Sequence, residues 1–360
     1  MVNNSSKYLL IQGRDKGIEC LRGIAIIFMV AGHVIGSDQT NGLKVDDGSW
    51  LRYFYYLFEY LRMPLFTVIS GFVYAMKPLS LGRERTFLER KVARLLVPFF
   101  FAATFFCVFQ AITPGTNAHL SIDEFWKPFV LPYGQFWFVQ GMFIVFIIIT
   151  YIEHNAMMNS IVSWLVIFLF SIVLFLSDII SLPFFSLDRV PFLLVFFLLG
   201  LGLRRFYDQL FYNKEFLFGV SAIFFLSFIF QQYIYFEGNW DDALIVKTLT
   251  VIVGISGAIT LIRMRFNNKS LAWLGGYSYE IFLYHPFGTA GGRISLKLLG
   301  VESINIYFVT SLFLGLSLPI VFRLLCNRIP FLTKLLFGER LKKKKSLPKN
   351  DASWQTVPVQ

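Results

Sequence analysis

Arg22 and His33 lie eleven residues apart in LRGIAIIFMVAGHV, with no charged residue between them. At about 100° per residue, eleven steps end roughly 20° past three full turns, so both side chains share one helix face about 16 Å apart. That is about half the thickness of a bilayer's hydrocarbon core. With Arg22 at one membrane surface, His33 is expected near the midplane, where an ionisable side chain is costly and marks a functional position. A neutral imidazole there suits proton removal from a hydroxyl or nucleophilic capture of an acyl group. A cation at the mouth suits phosphate, which arginine binds bidentately.

Other polar residues recur inside apolar stretches. FEYLRMPLFTVISGF carries Glu59 and Arg62 at an i, i+3 spacing, which permits either a mutual ion pair or a substrate-facing role. ERKVARLLVP places Arg90, Lys91 and Arg94 at the start of another apolar run. LAWLGGYSYEIFLYHPFG contains Glu280, the carboxylate well inside its run, and His285. Glu280 is expected to pair with His33 and orient its ring. Pro286 after His285 removes a backbone donor and predicts a kink or helix end near the outer face. His285 is accordingly expected at the acceptor side of a site.

The elements that position these groups follow from composition. Of 360 residues 56% are hydrophobic, 18% aromatic and only 15% charged, and mean hydropathy is +0.61. A soluble domain carries about 25% charge, so the class is all-α, a polytopic membrane bundle. Runs of spanning length are expected at 18–37, 53–76, 95–113, 134–152, 159–177, 186–203, 215–234, 245–262, 271–290 and 304–325, which makes about ten helices. Alternate connections differ in lysine and arginine. One set carries Lys44, Arg52, Lys127, Arg189, Lys247, Arg293 and Lys297, and Arg62 lies inside the second run. The rest of the 33 lie on the other side, with both termini. By the positive-inside rule both termini are cytoplasmic.

The +11 net charge is therefore topological rather than a nucleic-acid signature. The organisation expected is a cytosolic segment over 1–17, a transmembrane domain over 18–337 and a basic, disordered cytosolic tail over 338–360 that attracts anionic membrane lipid. Cys20, Cys107 and Cys326 stand at no metal-ligand spacing and read as packing residues, so no metal is assigned. Ser70-Gly71 and Gly275-Gly276 read as close contacts between helices. Trp126, Trp137 and Trp240 read as an interfacial aromatic belt, with stacking on sugar rings as the alternative.

Four blocks, GIECLRGIAIIFMVAGHV, RMPLFTVISGF, ERKVARLLVPFF and LGGYSYEIFLYHPF, resemble the integral-membrane acyltransferase family 3, which includes bacterial polysaccharide O-acetyltransferases. Weaker likenesses are GQFWFVQGMF and VPFLLVFFLLGLGLRRF. The resemblance implies that His33 is catalytic and that Arg22 serves the donor. The family's Arg-x-x-Arg maps onto Lys91 and Arg94, a departure because lysine lacks the planar fork of arginine.

The function so implied is membrane O-acyl transfer, in most of the family O-acetyl transfer, with acetyl-CoA as cytosolic donor. The acceptor is a hydroxyl of a cell-envelope polysaccharide or lipid-linked saccharide, and the location a bacterial inner membrane. Catalytic His33 and Glu280, donor-binding Arg22, Lys91 and Arg94, and acceptor-side Arg62, Glu59 and His285 are the residues expected to carry it. The alternative is a transporter or flippase with an intramembrane path through the same His, Arg and Glu residues. Release of free CoA separates the two, because a transporter turns over no acyl-CoA.

Overall fold

The computed structural model describes residues 10–11, 14–238, 242–264 and 266–339. Trp240 and the expected tail beyond Glu339 lie outside these residues. A two-residue antiparallel pair, β1 (Leu10–Ile11) and β2 (Arg14–Asp15), precedes the helices. In chain order these are α1 (Lys16–Ile35), α2 (Trp50–Leu57), α3 (Glu59–Met76), α4 (Glu84–Lys91), α5 (Val97–Ile112), α6 (Lys127–Val130), α7 (Trp137–His154) and α8 (Ile161–Ser177). They continue with α9 (Val190–Arg205), α10 (Tyr207–Leu210), α11 (Lys214–Glu237), α12 (Ala243–Met264), α13 (Lys269–Gly276), α14 (Ser278–Leu298), α15 (Ile304–Cys326) and α16 (Pro330–Phe337). The all-α expectation holds.

With Glu84–Ile112, continuous through α4 and α5, and Phe184–Arg205, which ends with α9, each taken as one helix, seven of the described helices are long and apolar enough to cross a membrane, against the ten runs expected. The runs expected at 53–76, 159–177 and 271–290 fall short for identifiable reasons. α8 has only 17 residues and ends at Asp178 in the left-handed conformation. The other two are interrupted, between α2 and α3 at Phe58 and between α13 and α14 at Tyr277. α3 and α14 also carry the polar residues Arg62 and His285, so their lower apolarity and their chemistry have one origin.

α1 starts where Asp15 Oδ1 accepts from the backbone N–H of Gly17 (2.9 Å) and Ile18 (3.2 Å), two donors that a helix start otherwise leaves open. It begins six residues before Arg22, so His33 falls in its last turn rather than halfway along. α1 and the α13–α14 pair run in the same direction. Cys20 Sγ donates to the Asn268 carbonyl near the start of each (3.1 Å), and His33 meets His285 farther along both.

Small residues set the approach of these helices. A Cβ on Gly275 would lie 2.0 Å from the Glu19 carbonyl oxygen, and one on Gly200 would lie 1.9 Å from that of Val68 where α9 crosses α3. Gly71, expected as a close contact, meets the Phe197 carbonyl in the same way, at 2.0 Å. Packing at such a crossing substitutes for the hydrophobic drive that lipid cannot provide. α11 faces outward with Phe218, Phe225, Leu226 and Ile229 exposed, an exterior matched to hydrocarbon.

Candidate active site

A cavity of about 410 Å³ opens beside the last turn of α1. Its wall takes His33 from α1, Tyr55 from α2, Arg62 from α3, Gln135 and Trp137 at the start of α7, and Phe282 from α14. The volume falls in the range of about 300–1,000 Å³ typical of small-molecule sites, as does the mixture of aromatic and polar groups. His33 is an exposed residue, and the surface it offers faces this cavity and a second one of about 90 Å³ that it also lines.

The two histidines stack, with ring centroids 4.8 Å apart and planes 12° from parallel. His285 is buried, at 1% exposure, and its Nδ1–H donates to the carbonyl oxygens of Ile281 (3.1 Å) and Phe282 (3.0 Å). Pro286 explains the second contact. It has no N–H to give to the Phe282 carbonyl four residues back, and the imidazole supplies the missing donor. With its proton on Nδ1, a neutral His285 keeps the lone pair on Nε2. The sequence reading placed His285 near the outer end of its span; the structure places it against His33, inside the fold. α14 continues through Pro286 to Leu298 instead of ending there.

Arg62 reaches the same place from α3. Its Nη2 donates to Tyr55 Oη at 2.6 Å, and its guanidinium lies 4.1 Å from the centre of the Tyr55 ring. The approach depends on Gly32, since a Cβ there would meet Arg62 Nη1 at 1.8 Å. Of the two arrangements open to Glu59 and Arg62, the mutual ion pair is not formed within 4 Å, because Arg62 turns to Tyr55 instead. Glu59 stays at the first turn of α3, where a carboxylate suits the helix dipole.

Glu280 also has a different partner from the one expected. Its Oε1 lies 3.3 Å from Arg323 Nε on α15, and Arg323 reaches Glu339 at 2.5 Å and Asn327. The carboxylate expected to orient His33 is thus committed to a buried ion pair, and the group against His33 is His285. Among the described residues His33 makes no hydrogen bond.

The basic residues expected to serve the donor lie apart from both cavities. Arg22 pairs with Glu19 (3.1 Å) one turn earlier in α1. Lys91 Nζ sits 3.4 Å from the centre of the Phe146 ring. Arg94 is exposed and belongs to a π-helical turn, Val92–Leu96, between α4 and α5. Such turns are rare and concentrate at functional sites.

Gly36, Ser37, Asn41 and Gly42, in the loop that joins α1 to α2, form one edge of the large cavity. Gly36 and Gly42 take φ of +88° and +57°, and a Cβ on either would strike the other's strand of the loop at 2.4 Å. Arg52, buried at 4% exposure, donates to the carbonyls of Gly36 and Val45 and pairs with Asp47. At the tip, hydrogen bonds from Thr40 Oγ1 (2.5 Å), Thr40 N, Ser37 and Asn41 hold the Asp38 carboxyl well below the usual carboxylate range.

Sequence reasoning did not single out Tyr55, Gln135, Arg52 or Arg293 for the site, and it assigned Trp137 to an interfacial belt. Tyr55 sits three residues before the break at Phe58, and the others come from connections or from another helix face, so no periodicity connects them to His33.

Residues 15–324 match a family described as an acyltransferase domain, whereas no curated protein and no solved structure matches the chain. That match spans most of the chain, the apolar helices mark an integral membrane protein, and the four sequence blocks agree with it. The chain therefore belongs to the membrane acyltransferase family 3.

Proposed function

We propose that this membrane acyltransferase moves a short acyl group, acetyl, from acyl-CoA to a hydroxyl of an envelope polysaccharide or lipid-linked saccharide, in a bacterial inner membrane. The observation that carries the reading is His33 on the wall of a 410 Å³ cavity, free of hydrogen bonds among the described residues and backed by the ring of His285. An imidazole without a partner in such a wall is available to a substrate.

In this reading the acceptor saccharide occupies the large cavity. Trp137 and Tyr55 offer ring faces to a sugar, and Arg62 and Gln135 offer donors to its oxygens. The acceptor hydroxyl adds to the thioester carbonyl carbon, forming the C–O bond, and the C–S bond breaks as the resulting tetrahedral intermediate collapses. The hydroxyl proton passes to a His33 ring nitrogen and then to the departing CoA thiolate. His285 contributes position rather than protons, since its Nδ1 is held by backbone and its ring fixes the plane of His33. Arg22, Lys91 and Arg94 bind the phosphates of the donor. The stretch of α1 between Arg22 and His33, about 16 Å, is within reach of the extended pantetheine arm.

Transfer from radiolabelled acetyl-CoA to envelope glycan, in membranes holding the native chain or His33→Ala at matched folded levels, tests this reading. Label with the native chain and a loss of about 100-fold or more with the variant is expected. Equal label from both removes His33 from the chemistry. Saccharide movement by the native chain without release of CoA favours a transporter.

A further inference from the structure

The second cavity that His33 lines is small, about 90 Å³, and lies between α1, α14 and α15. Val34 and Leu43 form its apolar part, and Thr289, Arg293, Asn117 and Ser311 its polar part. Two features of that polar part stand out. Ser311 is buried at 1% exposure, and its Oγ has no hydrogen-bond partner among the described residues. A buried hydroxyl left so carries a desolvation cost that is recovered when something bonds to it. Arg293 has no carboxylate within 4 Å among the described residues. Its guanidinium is fixed by the Asn117 side chain and the Gly115 carbonyl (3.1 Å), while Asn117 in turn donates to the Gly42 carbonyl (2.9 Å). A rigid positive charge and an open hydroxyl thus share a small space with His33.

Resting on the acyl-transfer reading above, we propose that this small cavity is the acyl subsite, with Ser311 and Arg293 stabilising the negative charge that develops on the acyl carbonyl oxygen. A saccharide ring needs the large cavity that His33 also lines, and a group of only a few non-hydrogen atoms fits the small one. When the acceptor oxygen adds to the carbonyl carbon, the carbonyl electron pair moves onto oxygen. Ser311 Oγ–H donates to that oxyanion and Arg293 supplies a fixed positive field. The pair returns as the C–S bond breaks, and CoA leaves as thiolate. Preorganised donors of this kind act without reorganising during the reaction. The cavity walls also limit chain length, and Leu43 is the apolar side chain whose truncation lengthens the space.

The test uses the full chain in membranes, with acetyl-, propionyl- and butyryl-CoA as donors and envelope glycan as acceptor. Ser311→Ala is expected to lower kcat with acetyl-CoA about 100-fold while the KM for the acceptor stays within about two-fold. Ser311→Thr, which keeps a hydroxyl, is expected to recover most of that loss and so separates the hydroxyl's role from a packing defect. Leu43→Ala is expected to raise butyryl transfer relative to acetyl about ten-fold. A native kcat in Ser311→Ala, or a native chain-length profile in Leu43→Ala, overturns the subsite and leaves the acyltransferase reading standing. No transfer by the native chain from any of the three donors overturns that reading and the subsite with it.

Discussion

Two clusters of charged and polar groups lie within the helix bundle, and they are built on opposite terms. In the one around His33, Arg62 and Arg293 lack a carboxylate within 4 Å among the described residues. His33 has no hydrogen bond there, and two cavities open onto the ring. In the other, Glu280 and Arg323 are both largely buried and meet at 3.3 Å, with Glu339 and Asn327 completing the arginine's contacts and Phe337 under its guanidinium. None of the side chains lining the two cavities belongs to this second group. Unsatisfied groups around a space leave room for a ligand to complete them, whereas mutually satisfied groups hold helices together. α14 contributes to both, with Glu280 near its start and His285 five residues later.

The sharpest way to break this contrast is to remove one partner from the satisfied cluster. Glu280→Ala removes one of the two carboxylates held against the buried Arg323, which keeps Glu339 and Asn327, a loss of about 1.5–3 kcal/mol for a hydrogen bond to a charged group. A markedly lower melting temperature in detergent is expected, while the protein that remains folded transfers acyl groups at close to the native rate. Unchanged melting with abolished transfer would move Glu280 into the catalytic group.

The unsatisfied cluster is expected to respond in the opposite sense. His285→Asn should reduce transfer about 10- to 100-fold with little change in melting, measured as kcat beside a thermal unfolding curve, because the ring that backs His33 is lost. A smaller effect, about three- to ten-fold in kcat, is expected from Pro286→Ala. It restores a backbone N–H that competes with His285 Nδ1 for the Phe282 carbonyl. Arg62→Lys should raise the acceptor KM by a few fold, since an ammonium keeps the charge but not the planar contact with Tyr55. A native KM in that variant would make Arg62 structural.

The smallest effect belongs to the loop between α1 and α2. The Asp38 carboxyl is held below its usual range by hydrogen bonds that favour the charged form, led by that from Thr40. Its contribution to stability is present above the ordinary carboxylate range and is lost as pH falls toward the depressed folded value. Asp38→Asn should therefore lower the melting temperature slightly at neutral pH and not at all in strong acid. Because the group lies at the surface, solvent screening keeps the difference small.

Much of the architecture was legible beforehand. Composition and hydrophobic run length determined an all-helical membrane bundle, since lipid offers backbone groups no partner and the helix satisfies them locally. The register that puts Arg22 and His33 on one face follows from the helix repeat alone. Gly71 and Gly275 were readable as close contacts because only a missing side chain lets helix backbones approach so nearly. The count of spans was less so. Phe58 interrupts a helix with no glycine or proline beside it to announce it, whereas Gly275-Gly276 stands directly before the break at Tyr277 but reads in sequence as a helix contact, and Arg62 in α3 and His285 in α14 lower the hydropathy of runs that reach the site.

Only the tertiary structure decided the partners. The sequence supplies a carboxylate, two histidines and several arginines at known heights along their helices, but a helix fixes rotation only relative to itself. How α14 turns against α1 and α15 determines that His285, rather than Glu280, meets His33. That rotation is set by the glycine contacts among these helices and by Arg323 arriving from another segment of the chain. The same packing leaves Ser311 without a hydrogen bond among the described residues in a small cavity, a property of the space between helices that no single stretch of sequence contains.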